Sequence, residues 1–229
     1  MPIADNIVIT RANFDDGVTD LASPFFNRVI ERASELGYNI DDLHGDDDTR
    51  ANFEASIQSN DPAFFTGMGH GLYDRFAGQY NEILIKSGVN DHLMKDRTVY
   101  LLSCQTGARL GKTIMGKGGT AFLGYKKDYF FCGWVPGDEY TEAFEDCSNI
   151  IPITLFEGGT PDEAYNAALN KYAQWIEYWM TSEDPLAPFV LSALIHDRNA
   201  LVTYPTMLEP SPMPLMVVAG VLIMGLIAK

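Results

Sequence analysis

The chain has 229 residues, of which 46% are hydrophobic and 21% charged, so its composition predicts one substantial hydrophobic core and excludes an intrinsically disordered protein. Its 16 basic and 31 acidic side chains give a formal net charge of −15. A surface of that sign repels the phosphates of nucleic acids, which are therefore not expected partners.

Short apolar runs alternate with helical patterns along the first half of the chain. Residues 6–10 are an apolar run typical of a buried strand, and residues 23–36 repeat apolar side chains at helical spacing up to Gly37. The same alternation predicts strands at 38–43, 63–68, 98–103 and 120–125, and helices at 49–57 and 108–115. It indicates an α/β fold with a mainly parallel sheet and helices on both faces.

The second half begins with a long predicted helix at 161–180, whose apolar stripe indicates core packing. The apolar run 189–195 fits a helix or a strand, residues 196–199 a turn, and residues 200–204 a closing strand. No composition shift precedes residue 205, so residues 1–204 are predicted to form one domain.

The C-terminal end of the chain is strongly apolar. Residues 213–228 contain no charged side chain and follow a proline-rich spacer at 205–212. This run is slightly shorter than the roughly 17–25 residues of a membrane-spanning helix. We expect a membrane anchor at 213–229 that holds the domain on the cytoplasmic side, with a buried C-terminal helix as the alternative. Solubility of the full chain without detergent would argue against the anchor.

The cysteines and the N-terminus both indicate a reducing compartment. Cys104, Cys132 and Cys147 are an odd set without a CxxC pair, which argues against a disulfide framework and a zinc site. The first residues include Asp5 where a signal peptide would have a basic and then a long apolar segment, so we expect a cytosolic N-terminus.

Two reactive side chains follow predicted strands. His70 comes after the strand at 63–68 and Cys104 after the strand at 98–103. Because loops at the carboxyl ends of neighbouring parallel strands meet at one edge of a sheet, these residues can form a nucleophile and its base. Each residue alone is more often a packing residue than a catalytic one, so their matched positions carry the prediction.

The chemistry of such a pair is that of acyl transfer. An ordinary cysteine, with a pKa of about 8.5, is mostly a thiol at neutral pH, and an imidazole can take its proton and later pass it to a departing amine. The backbone amides of Gly71 and Cys104 are the predicted donors to a tetrahedral oxyanion.

These motifs, in this order, resemble those of the caspase-haemoglobinase superfamily (clan CD) of cysteine peptidases, which includes caspases and gingipains. Residues 45–57, 102–111 and 118–125 resemble the corresponding segments of gingipain-like members, so the resemblance spans roughly residues 5–205. It implies a caspase-like three-layer α/β sandwich, with His70 as general base and Cys104 as nucleophile. Unlike caspases, the chain leaves only residues 105–119 between the cysteine strand and the next, so activation by cleavage there is not expected.

The residue before the scissile bond is expected to be Arg or Lys. The loop after the first strand carries Asp15 and Asp16, and a carboxylate in a partly desolvated pocket favours a basic side chain. Solvation of a turn is an equally good explanation of both residues. Arg11 would be the relevant residue for the opposite preference, for Asp before the scissile bond.

A third catalytic residue is not assignable from the sequence. Asp74 and Glu82 lie near His70 in sequence, but surface solvation is the default explanation for both.

No cofactor is expected. Residues 46–48 are three aspartates, but they lack the alternating ligands and glycine of an EF-hand loop, so calcium binding is the weaker interpretation and a helix N-terminus at Thr49 the stronger. The predicted partner is a protein or peptide substrate, and no oligomeric state is predicted. Two alternatives stay open: a catalytically silent, membrane-attached scaffold of the same fold, and a small-ligand or nucleotide-binding domain, which the missing glycine-rich phosphate motifs disfavour.

Overall fold

A computed structural model describes residues 3–14 and 16–205. Asp15, the spacer from residue 206 and the predicted membrane anchor at 213–229 lie outside the described residues. Within the described ranges, no helix combines the length and apolarity that crossing a membrane requires.

The centre of the molecule is a six-stranded sheet. Its strands are β1 (Ile3–Arg11), β2 (Asn39–His44), β3 (Pro62–Met68), β7 (Thr98–Leu102), β8 (Ala121–Tyr125) and β9 (Leu201–Tyr204), in the order β2-β1-β3-β7-β8-β9. All neighbouring strands are parallel except β8 and β9, which are antiparallel. The predicted α/β class with a mainly parallel sheet is therefore confirmed.

Three further strands form a small antiparallel sheet directly after β3, with the order β4-β5-β6. No sequence pattern predicts an element in this region, because its strands are too short to show an alternation. They are β4 (His70–Leu72), β5 (Arg75–Ala77) and β6 (Ile83–Lys86).

Helices cover both faces of the central sheet, as predicted. They are α1 (Thr19–Ala22), α2 (Phe26–Glu35), α3 (Arg50–Asn60), α4 (Leu110–Gly116), α5 (Glu139–Phe156), α6 (Pro161–Met180) and α7 (Ala187–Ala200). Local signals fix several of their first residues. The Thr49 hydroxyl accepts a hydrogen bond from the Asn52 amide at the start of α3, and Thr160 and Glu163 form a capping box around Pro161 at the start of α6.

Two hydrophobic clusters hold the three layers together, because successive residues of a buried strand point to opposite faces. On β1, Ile7 and Ile9 belong to the cluster under α2, α5, α6 and α7. Val8, between them, belongs to the cluster under α3, α4 and the small sheet. Continuous apolar strands are thus the result of burial on both faces.

The C-terminal half differs from the sequence prediction in two places. Residues 139–156, for which no element is predicted, form α5, which starts where the Asp138 carboxylate accepts hydrogen bonds from the amides of Tyr140 and Thr141. The predicted turn at 196–199 is the last turn of α7, which passes directly into β9. The buried residues Val190, Leu194 and Asp197 lie at helical spacing on one face of α7.

Candidate active site

The strands that precede His70 and Cys104 are neighbours. β3 and β7 pair in parallel with Met68 opposite Leu102, the last residue of each strand. The Gly69 amide donates a hydrogen bond to the Leu102 carbonyl at 3.4 Å, so the segments that follow β3 and β7 leave the sheet side by side. His70 and Cys104 each lie two residues beyond these paired ends. The topology therefore brings the two predicted residues to the same edge of the sheet.

Both residues line one small cavity of about 40 Å³. A cavity of this size has room for about three water molecules. Its walls come from the ends of β3 and β7, from the start of α1, and from the segment after β8. The residues around His70 and Cys104 are Val18, Thr19, Ala22, Met68, Gly69, Leu102, Ser103, Tyr129 and Phe131.

The imidazole of His70 is held by Asp16. The distance from His70 Nε2 to Asp16 Oδ2 is 2.6 Å, and the His70 side chain is 35% exposed. The ring of Phe14 lies edge-on to the imidazole, with 5.9 Å between ring centroids. A carboxylate on one ring nitrogen fixes the orientation of the imidazole.

Asp16 is itself fixed by the backbone that follows it. Its Oδ1 accepts hydrogen bonds from the amides of Val18 at 2.9 Å and Thr19 at 2.7 Å. Burial alone would raise the pKa of Asp16, but the hydrogen bonds from His70, Thr19 and Val18 outweigh it and lower that pKa. The carboxylate is therefore ionised at neutral pH. Its contact with His70 differs from the substrate contact that the sequence predicts for Asp16.

Arg11, the residue considered for an acidic substrate side chain, is already paired. Its Nε donates to Asp42 Oδ1 at 2.8 Å and its Nη1 to Asn27 Oδ1 at 2.9 Å, and the side chain is buried. The guanidinium joins the ends of β1 and β2 to α2. It thus has a structural role in the fold.

The thiol of Cys104 is half-buried beside the segment after β8. The Tyr129 amide donates a hydrogen bond to Cys104 Sγ at 3.4 Å. Burial raises the pKa of the Cys104 thiol, and nearby Asp128 and Asp197 raise it further, against the opposing effect of the Tyr129 amide. Cys104 is therefore a neutral thiol at rest, and it needs a base before it can act as a nucleophile.

Helix α7 fixes the segment that carries the Tyr129 amide. Asp197 Oδ1 accepts a hydrogen bond from the Phe130 amide at 3.0 Å, and His196 Nε2 lies 2.9 Å from the Asp128 carbonyl oxygen. Asp197 is fully buried, and burial raises its pKa to about 9. Asp197 is not among the predicted site residues, because its stretch of sequence fits a turn. The helical spacing from Val190 was the signal that could have placed Asp197 on a buried face.

Gly71 lies against the backbone of Cys104. A Cβ atom at Gly71 would collide with the Cys104 carbonyl oxygen and come within 2.9 Å of the Thr106 methyl group. The two-residue turn after Leu72 is closed by the hydrogen-bonded pair Leu72–Arg75. Because hydrogen-bonded and non-hydrogen-bonded pairs alternate along an antiparallel ladder, the next pair, Gly71–Phe76, is not hydrogen-bonded. The Gly71 amide therefore points away from β5.

The acidic run at 46–48 lies near the small sheet, with the Asp48 carboxyl group beside Gly78. Asp46 accepts a hydrogen bond from the Tyr80 hydroxyl at 3.2 Å, while Asp48 is fully buried. Among the residues that the structure describes, no three or more His, Cys, Asp or Glu side chains are grouped so as to hold a metal ion.

Comparisons with known proteins bear on the fold. No protein-family model and no curated protein matches the sequence. Solved structures do match. The complex of the Porphyromonas gingivalis RgpB pro- and mature domains has a TM-score of 0.56 at 9% identity, over 87% of this chain and 46% of that one. A structure described only as a protease has a TM-score of 0.52 at 11% identity, over 87% of this chain and 46% of that one.

The Arg-specific cysteine proteinase gingipain R (RgpB) matches with a TM-score of 0.50 at 13% identity, over 73% of this chain and 42% of that one. The chain therefore spans less than half the length of these proteins. At such low identity the likeness concerns the fold alone, and that fold is the caspase-like α/β fold of the gingipains.

Proposed function

We propose that this protein is a cysteine endopeptidase in which Cys104 is the nucleophile and His70 the general base. One observation carries the proposal: His70 and Cys104 leave adjacent parallel strands and line the same cavity, with the Asp16 carboxylate on Nε2 of the imidazole. A thiol, an imidazole and a carboxylate that orients the imidazole are the groups that an activated cysteine requires. The fold, shared with cysteine proteinases, supports the same reaction.

The first half of the reaction forms a thioester. Because Asp16 occupies His70 Nε2, the proton of Cys104 passes to Nδ1 while Sγ attacks the substrate carbonyl carbon. The imidazolium, stabilised by Asp16, then donates that proton to the nitrogen of the scissile bond as the bond breaks. The amine half leaves, and the acyl half stays on Sγ.

The second half releases the acyl group to water. His70 removes a proton from a water molecule, which attacks the thioester carbon, and the proton returns to Sγ as the carbon–sulfur bond breaks. The oxyanion formed in each half would accept hydrogen bonds from the amides of Gly71 and Cys104. The outward direction of the Gly71 amide and its position against Cys104 support this role.

The residue before the scissile bond is proposed to be Arg or Lys. The chain carries 31 acidic against 16 basic side chains, and such a field attracts cationic substrates. A protein with this fold is described as Arg-specific. Arg11, bound to Asp42 and Asn27, offers no free cation to an acidic substrate side chain. Asp15 remains the proposed pocket carboxylate, and for Asp16 a substrate role competes with its contact to His70.

A catalytically silent scaffold is the second candidate. The cavity shared by His70 and Cys104, at about 40 Å³, is too small for a substrate side chain, and the thiol is half-buried. These two features are those of a closed site. The peptidase requires the segment around Tyr129 and Phe131 to move aside when substrate binds.

Covalent labelling distinguishes the two candidates. A peptidyl-arginyl chloromethyl ketone should alkylate the native protein at one cysteine, identified by peptide mass spectrometry as Cys104. Cys104→Ala should abolish labelling. Cys132→Ala is the matched control, since Cys132 is also a half-buried free thiol, and it should label like the native protein.

The peptide part of the reagent provides the specificity test. The same ketone carrying Asp instead of Arg should react at least about tenfold more slowly, because like charges repel in a partly desolvated pocket. No labelling of native protein by either reagent between about pH 5 and 9, the range that spans ordinary histidine and cysteine pKa values, would support the scaffold instead.

A further inference from the structure

A second, larger cavity adjoins His70. It has a volume of about 390 Å³, within the range of ligand-binding pockets, and it is formed by the small antiparallel sheet. His70 is the residue that it shares with the cavity of Cys104, and Cys104 is not among its lining residues. Its other lining residues are Gly71, Leu72, Arg75, Ala77, Asn81 and Ile83.

The position of this cavity relative to the two reacting groups determines which half of a substrate can reach it. In the proposed reaction the acyl half of the substrate remains attached to Cys104, while the amine half receives its proton from His70. The amine half must therefore leave the scissile bond on the His70 side. A cavity that adjoins His70 without touching Cys104 lies in the path of the substrate residues that follow the scissile bond.

The lining of the cavity favours an aliphatic side chain. Leu72, which is 46% exposed, Ala77 and Ile83 give it an apolar wall. The guanidinium of Arg75 is neutralised by its neighbour, because Arg75 Nε donates to Asp74 Oδ1 at 2.8 Å and Nη2 to Oδ2 at 3.3 Å. A charged substrate side chain would lose hydration here without gaining a free counter-ion, whereas an aliphatic one would bury apolar surface.

We propose that this cavity binds the substrate residue directly after the scissile bond and selects Leu or a similar aliphatic residue there. The inference rests on the proposed peptidase function and adds a second specificity site to it, on the opposite side of the scissile bond from the basic residue.

The test uses the full-length protein and two internally quenched peptides that have Arg before the scissile bond and differ only in the next residue, Leu or Asp. The native protein should cleave the Leu peptide with a kcat/KM about tenfold higher, the discrimination expected of a small apolar pocket. Leu72→Lys places a cation on the cavity wall and should lower the Leu-to-Asp ratio of kcat/KM about tenfold. Because the ratio comes from one enzyme sample, it is independent of how much active enzyme the variant retains.

Val89→Lys is the matched control. Val89 is an aliphatic residue of similar exposure, 51%, on the turn after β6, and it does not line the cavity. This variant should keep the native Leu-to-Asp ratio. Equal shifts in Leu72→Lys and Val89→Lys would contradict the proposal, because they would reflect a general charge effect.

A peptidyl-arginyl aminomethylcoumarin, which has no amino acid after the scissile bond, separates the two levels of the inference. If the native protein hydrolyses it but cleaves the Leu and Asp peptides equally fast, only the cavity assignment fails. If the native protein hydrolyses none of the three substrates, the proposed peptidase function fails and the cavity assignment fails with it. The native ratio alone decides the matter should Leu72→Lys not fold.

Discussion

Asp16 uses its two carboxylate oxygens for different tasks. Oδ1 accepts the amides of Val18 and Thr19, which fixes the side chain on the loop after β1, and Oδ2 binds His70 Nε2. A carboxylate fixed in this way holds the imidazole in one orientation and one tautomer, in which Nδ1 is the ring nitrogen that can accept a proton. Asp16 is thus a positioning residue in the proposed mechanism.

Asp16→Asn tests this role against a role in substrate binding. The amide oxygen of Asn can still accept from Val18 and Thr19, but it no longer stabilises an imidazolium, so kcat should fall by about 100-fold or more. KM and the preference for Arg or Lys should stay close to native values. Steady-state kinetics with matched Arg and Asp substrates would check both. Asp46→Asn, an exposed carboxylate, is the control and should leave kcat unchanged. Loss of the Arg preference with an intact kcat would instead make Asp16 a substrate-binding residue.

At the level of elements, the site depends on the close approach of β4 to the loop after β7. Gly71 has no Cβ, and the space that a Cβ would need is occupied by the Cys104 carbonyl oxygen and Thr106. The contact fixes His70, the first residue of β4, next to the cysteine loop. The short strand is therefore held in place by backbone packing as well as by its hairpin partner.

Gly71→Ala should push β4 away from the loop after β7. Because backbone must shift to admit the methyl group, we expect the free energy of unfolding to fall by about 1–3 kcal/mol, measured by urea denaturation. Gly116→Ala is the control: Gly116 ends α4, no atom beyond its chain neighbours and the backbone of its own helix lies within 4 Å of the position that its methyl group would take, and Ala favours the helical conformation. It should be neutral or stabilise by up to about 1 kcal/mol. Equal effects of the two substitutions would argue against a tight β4 contact.

For the whole molecule, two buried carboxylates couple folding to pH. Asp48 and Asp197 are fully buried, and burial raises their pKa values to about 8 and about 9. Among the described residues, neither carboxyl oxygen of Asp48 has a hydrogen-bond partner. Of the two carboxyl oxygens of Asp197, only Oδ1 has one within this part of the chain. Both groups are therefore protonated in the folded protein at neutral pH and ionised in the unfolded chain, whose aspartates titrate near 3.9.

The stability of the protein should consequently decrease between about pH 5 and 8. In this window the unfolded state binds fewer protons than the folded state, and each buried carboxylate contributes a fall of up to about 1.4 kcal/mol per pH unit in the free energy of unfolding. Asp197→Asn cannot ionise but still accepts from the Phe130 amide, so it should make the decrease shallower and raise stability at pH 8.

Urea denaturation at several pH values would measure these slopes. The exposed Asp47→Asn is the control and should keep the native slope. Stability that rises with pH across this window, or a native slope in Asp197→Asn, would contradict a protonated Asp197 in the folded state.

Local patterns determined the sheet strands and most of the helices of this protein. Apolar runs bounded by loops identified β1, β3, β7 and β8, and the periodic stretch at 161–180 coincides with α6. The same patterns identified His70 and Cys104, because each follows a strand whose carboxyl end is recognisable from neighbouring residues alone. The small sheet and α5 were not predicted from the sequence. For the small sheet the reason is that strands of three or four residues have too few positions to show a periodic pattern.

Only the tertiary structure decided what surrounds the two predicted residues. Asp16 reaches His70 across 54 positions of sequence, Tyr129 reaches Cys104 across 25, and Asp197 supports the Tyr129 segment from α7 across 67. Periodicity reports which face of an element is buried, a property of neighbouring residues. Which side chains from different loops converge at a sheet edge depends instead on strand order and on how closely the layers pack, and these are set by the whole chain at once.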